Sequence, residues 1–155
     1  MGDPEDIKAW QRIDALLTTS GALREGDIAK LAAIGTRHVI NLAMPDSPEA
    51  LGQERELLAQ AGIAYTAITV PFGDLQEEHY RRFVSVLESA ARPAHIHCIM
   101  NWRVSAFLYR YHCEHGMESG EARQLMARQW EPDRSEYPQG EKWGNFVAAV
   151  GRSAA

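Results

Sequence analysis

Helix, glycine, apolar strand: this order occurs twice in the first half of the chain and constrains its fold more than any other feature. Ile28, Leu31 and Ala32 make a helical stripe that stops at Gly35, and Arg37 to Leu42 follow as an apolar strand. Leu51, Leu57, Leu58 and Ala61 repeat the stripe before Gly62, and Ile63 to Val70 repeat the strand. A glycine just past a helix takes up the left-handed backbone that ends it. Tyr80, Phe83, Val84 and Leu87 mark a third helix face, Arg92-Pro93 breaks it, and Ala94-His95-Ile96-His97 reads as a short strand. Val104, Phe107, Leu108 and Tyr111 resume the helical period straight after Cys98. Two more helices are predicted, one around Ala122, Leu125 and Met126 with Ser119 as its cap, the other around Trp143, Phe146, Val147 and Val150. Ile13 to Thr18 could add a short edge strand.

Strands alternating with helices predict an α/β fold with a mostly parallel central sheet of roughly four to five strands, flanked by helices on both faces. No linker or repeat interrupts Pro4 to Val150, so residues 1–155 are expected to form one domain. Trp130 to Gly140 reads as the one long loop, and Arg152 to Ala155 as a frayed tail.

Charge narrows the partners. A formal net charge of −5 argues against a nucleic-acid or anionic-membrane binder, although a small cationic pocket is compatible with it. The start of the chain is polar where a signal peptide would be apolar, and no apolar run approaches the roughly 18 residues of a membrane span. Two cysteines, Cys98 and Cys113, are too few for a disulfide framework, so reduced thiols in a cytoplasm are expected.

The chemistry concentrates in His95-Ile96-His97-Cys98-Ile99-Met100-Asn101-Trp102-Arg103-Val104-Ser105. A cysteine ends a buried strand, a short loop follows, and a helix starts around Trp102. Ligands of open α/β sheets bind at the carboxyl ends of strands. Backbone N–H groups of Ile99, Met100, Asn101, Trp102 and Arg103 could curl around one oxyanion, helped by the helix dipole. Arg103 would add a forked, permanent cation for a tetrahedral anion. Nucleophile, donors and cation on one point are what phosphoryl transfer needs.

His97-Cys98 followed by Arg103 and Ser105 resembles the signature loop of the cysteine-dependent tyrosine and dual-specificity phosphatases. The closer resemblance is to a bacterial branch of that superfamily, the small phosphatase-like domain also found fused to β-lactamase-type hydrolases. Thr19-Ser20-Gly21, Val39-Ile40-Asn41-Leu42, Thr69-Val70-Pro71-Phe72 and Arg103-Val104-Ser105-Ala106-Phe107 carry it further, over about Ile7 to Phe146. The resemblance implies Cys98 as the nucleophile of a phosphocysteine, Arg103 as phosphate binder, Ser105 as the hydroxyl that stabilises the thiolate, and His97 as a residue that orients the loop. It also implies an aspartate acid on a loop after an earlier strand, for which Asp74 is the candidate.

Two departures separate the chain from that pattern. Four residues, Ile99 to Trp102, lie between Cys98 and Arg103 where the phosphatase signature has five. The loop glycines are missing, and Asn101 alone has a comparable tolerance for positive φ. A shorter loop also resembles rhodanese-type sulfurtransferases, in which the cysteine carries a persulfide.

Plainer readings compete. Asp74 and Glu77 have the spacing of a helix capping box, a role that would compete for the carboxylate. Glu78 and His79 are fallback proton donors that a solvated helix face explains better. His112 and His115 could share a helix face, but no second ligand cluster accompanies them, so no metal is expected. Asp133, Arg134 and Glu136 read as surface, and Trp130, Trp143 and Phe146 as hydrophobic cover. The sequence thus points to a phosphatase acting on a phosphorylated protein or a small phosphomonoester, without a cofactor. The alternatives are a sulfurtransferase using the same Cys98 and a non-catalytic phosphoanion-binding module. No oligomeric state follows from the sequence.

Overall fold

Both glycine stops are used: Gly35 and Gly62 take φ values of 85° and 76°, just past α1 (Asp27–Ala33) and α2 (Glu54–Gln60). The computed structural model describes residues 2–134 and 140–153, the last three of these by backbone alone. Its remaining elements are β1 (Gln11–Asp14), β2 (Leu17–Ser20), β3 (His38–Asn41), β4 (Ala64–Ala67), α3 (Glu77–Ser89), β5 (Ala94–His97), α4 (Trp102–Glu114), α5 (Ser119–Ala127) and α6 (Glu141–Ser153).

The strands form one sheet in the order β1-β2-β5-β3-β4. β2, β5, β3 and β4 run parallel to their neighbours, and β1 is an antiparallel edge strand, which gives the expected mostly parallel sheet. Period-two burial puts the two faces of each strand into different cores. Ile40 and Ile96 face a large core with Tyr80, Phe83, Phe107 and Trp143, whereas Val39 faces a smaller one with Leu31, Leu58 and Ile63. α1 and α2 therefore cover one face and α3, α4, α5 and α6 the other. His95 and His97 alternate with Ile96 on β5, which turns them toward the α1–α2 face. β5 is central, paired by β2 on one side and β3 on the other, so Cys98 leaves the sheet at its middle.

Several local readings need correction. Ile13 to Thr18 is not one edge strand but a hairpin, turned by the Asp14 carboxylate accepting the Leu16 amide at 2.7 Å. α2 begins at Glu54 rather than near Leu51, because Gln53 sits in the left-handed region at φ 60° and stops the helix from extending backwards. Residues 42–53 consequently form a second long connection besides the one that starts at Trp130. The cap of α5 is Glu118, whose carboxylate accepts the Gly120 and Glu121 amides, and Ser119 is already helical. At α3 the capping box is made by Gln76 and His79, not by Asp74 and Glu77. α6 runs through Arg152 to Ser153 where a frayed tail was expected; Ala154, Ala155 and Glu136 lie outside the described residues. Asp133 is paired with Arg123 at 2.7 Å rather than being plain surface. Among the described residues no helix is long and apolar enough to cross a membrane.

Candidate active site

The end of β5 opens into a cleft of about 440 Å³ whose floor is Cys98. Ile99, Met100, Trp102 and Arg103 line it from the loop and the first turn of α4, Phe72 from the segment after β4, and Ser47, Pro48 and Glu49 from the connection after β3. Cys98 is buried, 1% exposed, with its amide donating to the Ser20 carbonyl at 3.4 Å. Among the described residues the amides of Ile99, Met100, Asn101 and Arg103 donate no backbone hydrogen bond.

Asn101 turns the chain from the loop into α4. It adopts φ 67°, as its tolerance for positive φ suggested, and is fully buried. Its Nδ2 donates to the Ala9 carbonyl at 2.9 Å and to Thr19 Oγ1 at 3.0 Å, while its Oδ1 accepts the Ser105 hydroxyl at 3.1 Å. Ser105 thus acts on the loop through Asn101, and its hydroxyl is committed there rather than to the sulfur. The Ile99 carbonyl is fixed from the other side by the Ala22 amide at 2.9 Å.

Gly21 allows that approach. A Cβ at Gly21 would stand 2.4 Å from the Ile99 carbonyl oxygen, a backbone atom that cannot swing away. Gly21→Ala is therefore expected to push the loop outward and to cost about 1–3 kcal/mol, the usual scale of overpacking. A lowered Tm together with weaker sulfate binding would show it, and an unchanged value of both would refute the contact.

Arg103, the second residue of α4, is 7% exposed and points into the cleft wall rather than into solvent. Nη1 donates to the Val70 carbonyl at 2.8 Å, and the guanidinium stands 5.9 Å from the centre of the Phe72 ring. Phe72 is itself boxed by Trp102, Trp130 and Trp143, and Trp143 Nε1 donates to the Phe72 carbonyl at 2.7 Å. Phe72 and the three tryptophans thus form an aromatic cluster that joins the start of α4 to α6.

Asp74 is not among the cleft residues. Its carboxylate accepts Gln76 Nε2 at 2.8 Å and Lys142 Nζ at 3.1 Å, and the Lys142 ammonium, with Gln76 second, holds its carboxyl below the usual range. His79 caps α3, and Glu49 is the acid that does line the cleft, where it pairs with Lys8. His97 stands behind Cys98 and bonds Glu54, a partner absent from the sequence reading. Ser47, Pro48, Glu49 and Phe72 were missed as well. For Ser47, Pro48 and Glu49 the sequence signal is the Pro-containing stretch before Gly52, which reads equally well as a helix approach; Phe72 ends Thr69-Val70-Pro71-Phe72, which carries the resemblance but gave it no role. Of the pair His112 and His115, the second bonds the Tyr111 carbonyl, and no group of three or more candidate metal ligands occurs among the described residues.

No protein-family model matches the chain, and no curated protein matches it. Solved structures do. The DUF442 protein of Shewanella putrefaciens CN-32, a candidate phosphatase, is 26% identical with a TM-score of 0.80, over 96% of this chain and 92% of that one. TpbA of P. aeruginosa, solved in complex with pTyr, is 15% identical with a TM-score of 0.69, over 97% and 94%. The catalytic core of the PP-IP phosphatase SIW14 from S. cerevisiae is 11% identical with a TM-score of 0.70, over 96% and 94%. At such identities the last two speak for the fold alone. In its fold this chain is similar to the DUF442 candidate phosphatase of Shewanella putrefaciens, and its order of Cys98, loop, Arg103 and Ser105 is the one on which the sequence resemblance rests.

Proposed function

We propose that the protein is a phosphatase that hydrolyses phosphomonoesters through a phosphocysteine on Cys98. The observation that carries this reading is the convergence of the Cys98 thiol, the undonated loop amides and the buried Arg103 on one cleft. Helix N-termini and neighbouring cations favour the thiolate form of a cysteine. The sulfur attacks phosphorus as the ester P–O bond breaks, and the leaving oxygen takes a proton from the general acid. Water, deprotonated by the same carboxylate, then attacks phosphorus. The S–P bond breaks, inorganic phosphate leaves and the thiolate is restored. Amides of Ile99 to Arg103 and the forked Arg103 serve the three phosphoryl oxygens through both steps.

The walls favour one class of ester. Pro48, Phe72, Ile99, Met100 and Trp102 are apolar, and among the described residues that line the cleft Arg103 is the one cation and Glu49, paired with Lys8, the one acid. That balance suits a single phosphate on a flat apolar group, a phosphotyrosine-like or other aryl ester, better than a polyphosphate, which would need several cations. Turnover of a generic aryl phosphate, compared with thiosulfate, tests the reading. Hydrolysis of the first supports it, and sulfur transfer from the second without hydrolysis replaces it with the persulfide scheme.

Arg103→Lys checks the clamp separately. Lysine keeps the charge but cannot span two phosphoryl oxygens, and its ammonium replaces the guanidinium donor at the Val70 carbonyl. A loss of about 10²–10³-fold in kcat/KM is expected, the scale of removing one preorganised donor. A change within twofold would mean that charge alone suffices and that the fork is not used.

A further inference from the structure

Behind the cleft, the two histidines of β5 are wired differently. His97 is buried, with Nε2 2.7 Å from Glu54 Oε2 and Nδ1 3.1 Å from the Cys98 carbonyl oxygen. A carbonyl only accepts, and an ionised carboxylate only accepts. A neutral imidazole has one N–H and one lone pair, so it satisfies one of these partners and repels the other. His95, two residues earlier, meets two hydroxyls instead, Thr18 Oγ1 at Nδ1 and Ser20 Oγ at Nε2, each at 2.8 Å. Ser20 gives its own hydrogen to the Gly21 carbonyl at 2.9 Å, so it accepts from Nε2–H, and Thr18 donates to Nδ1. A neutral ring fits His95, and burial, with the nearby His97 adding to it, holds His95 well below the ordinary imidazole value.

The residues beside His97 on the neighbouring strands are uncharged. Ser20 on β2 and Asn41 on β3 stand beside it in register. Tyr65 on β4 accepts Asn41 Nδ2 at 3.1 Å, and burial, then the Glu54 charge, push its hydroxyl up, so it keeps its proton. Glu54, 6% exposed, is the charge that His97 meets.

We propose that Glu54 is a positioning residue that holds His97 as an imidazolium, Nε2–H on the carboxylate and Nδ1–H on the Cys98 carbonyl, and so aims the first amide of the anion loop. In a planar trans peptide the carbonyl and the N–H point in opposite directions. Anchoring the Cys98 carbonyl on His97 therefore turns the Ile99 N–H away from His97. The role rests on Cys98 opening an anion loop, as proposed above.

Both halves are measurable without turnover. In ¹⁵N-labelled protein at neutral pH, His97 should show two protonated ring nitrogens; in Glu54→Gln, whose amide can donate to Nε2, one should become bare while Nδ1–H stays. Sulfate protection of Cys98 against iodoacetamide, read on the Cys98 peptide by mass spectrometry, should weaken about tenfold in Glu54→Ala, the scale of one hydrogen bond's net worth. Glu54→Gln should retain most of that protection, because the bond to the Cys98 carbonyl survives. A bare ring nitrogen in the wild type would overturn the proposal, as would undiminished protection in Glu54→Ala. If Glu54→Ala does not fold, the wild-type and Glu54→Gln spectra still decide. Protection and spectra as expected, in a protein that hydrolyses no phosphate ester, would refute the phosphatase reading and leave this one standing.

Discussion

Cys98→Ser is expected to lower aryl phosphate turnover on the order of 10⁴–10⁶-fold in kcat, the range in which loss of a covalent nucleophile is felt. A serine hydroxyl at the same place is not ionised near neutral pH and has no base beside it. The hydrogen bonds around this position come from the Cys98 amide and the His97 ring, neither of which involves the sulfur. The loop should therefore survive the change, and sulfate affinity should stay within a few-fold of wild type. Loss of turnover alone does not separate phosphorus from sulfur, since both schemes need the thiolate. Mass spectrometry of Cys98 after rapid quenching separates them. A phosphoryl adduct from aryl phosphate supports the hydrolase; a one-sulfur adduct from thiosulfate, without aryl phosphate turnover, overturns it; neither adduct leaves only the anion-binding module.

What the sequence disclosed about this site is the part encoded over a few consecutive residues. Cys98 at the end of an apolar strand, the restart of helix at Trp102 and the tolerance of Asn101 for positive φ are local properties, and the structure has all three. What it concealed is long-range. Glu54 reads as an ordinary acidic residue in a first helical turn, and only the packing of α2 on the sheet brings it to His97, 43 residues away. The connection after β3 looked like the start of a helix because Leu51 fits the stripe of Leu57 and Leu58. The left-handed Gln53 breaks that stripe and sends Ser47, Pro48 and Glu49 to the cleft instead. Caps misled for a related reason. Asp74 and Glu77 have suitable spacing, but so do Gln76 and His79, and it is the second pair that makes the box.

The largest effect expected outside the anion loop is at Asp74. If Asp74 supplies the proton to the leaving oxygen, Asp74→Asn should lower kcat by about 10²–10⁴-fold for an alkyl phosphate, whose oxygen must be protonated to leave. An activated aryl phosphate, whose oxygen leaves as a stable anion, should lose far less. The structure gives this acid a starting position away from the reaction: Asp74 is exposed, held by Lys142 and Gln76, and favoured as the carboxylate by the Lys142 ammonium. To donate, it must leave Lys142 and take a proton, and an exposed ion pair of this kind is weak enough to allow it. Lys142 thus opposes the acid step. Removing it in Lys142→Ala raises the Asp74 pKa toward its ordinary value, which increases the protonated fraction at any given pH. The alkaline limb of kcat for the alkyl ester should accordingly move to higher pH in Lys142→Ala, with no such move for the aryl ester. An equal, small effect of Asp74→Asn on both esters would remove Asp74 from the chemistry. Glu49, the carboxylate that already lines the cleft, would then be the next acid to test.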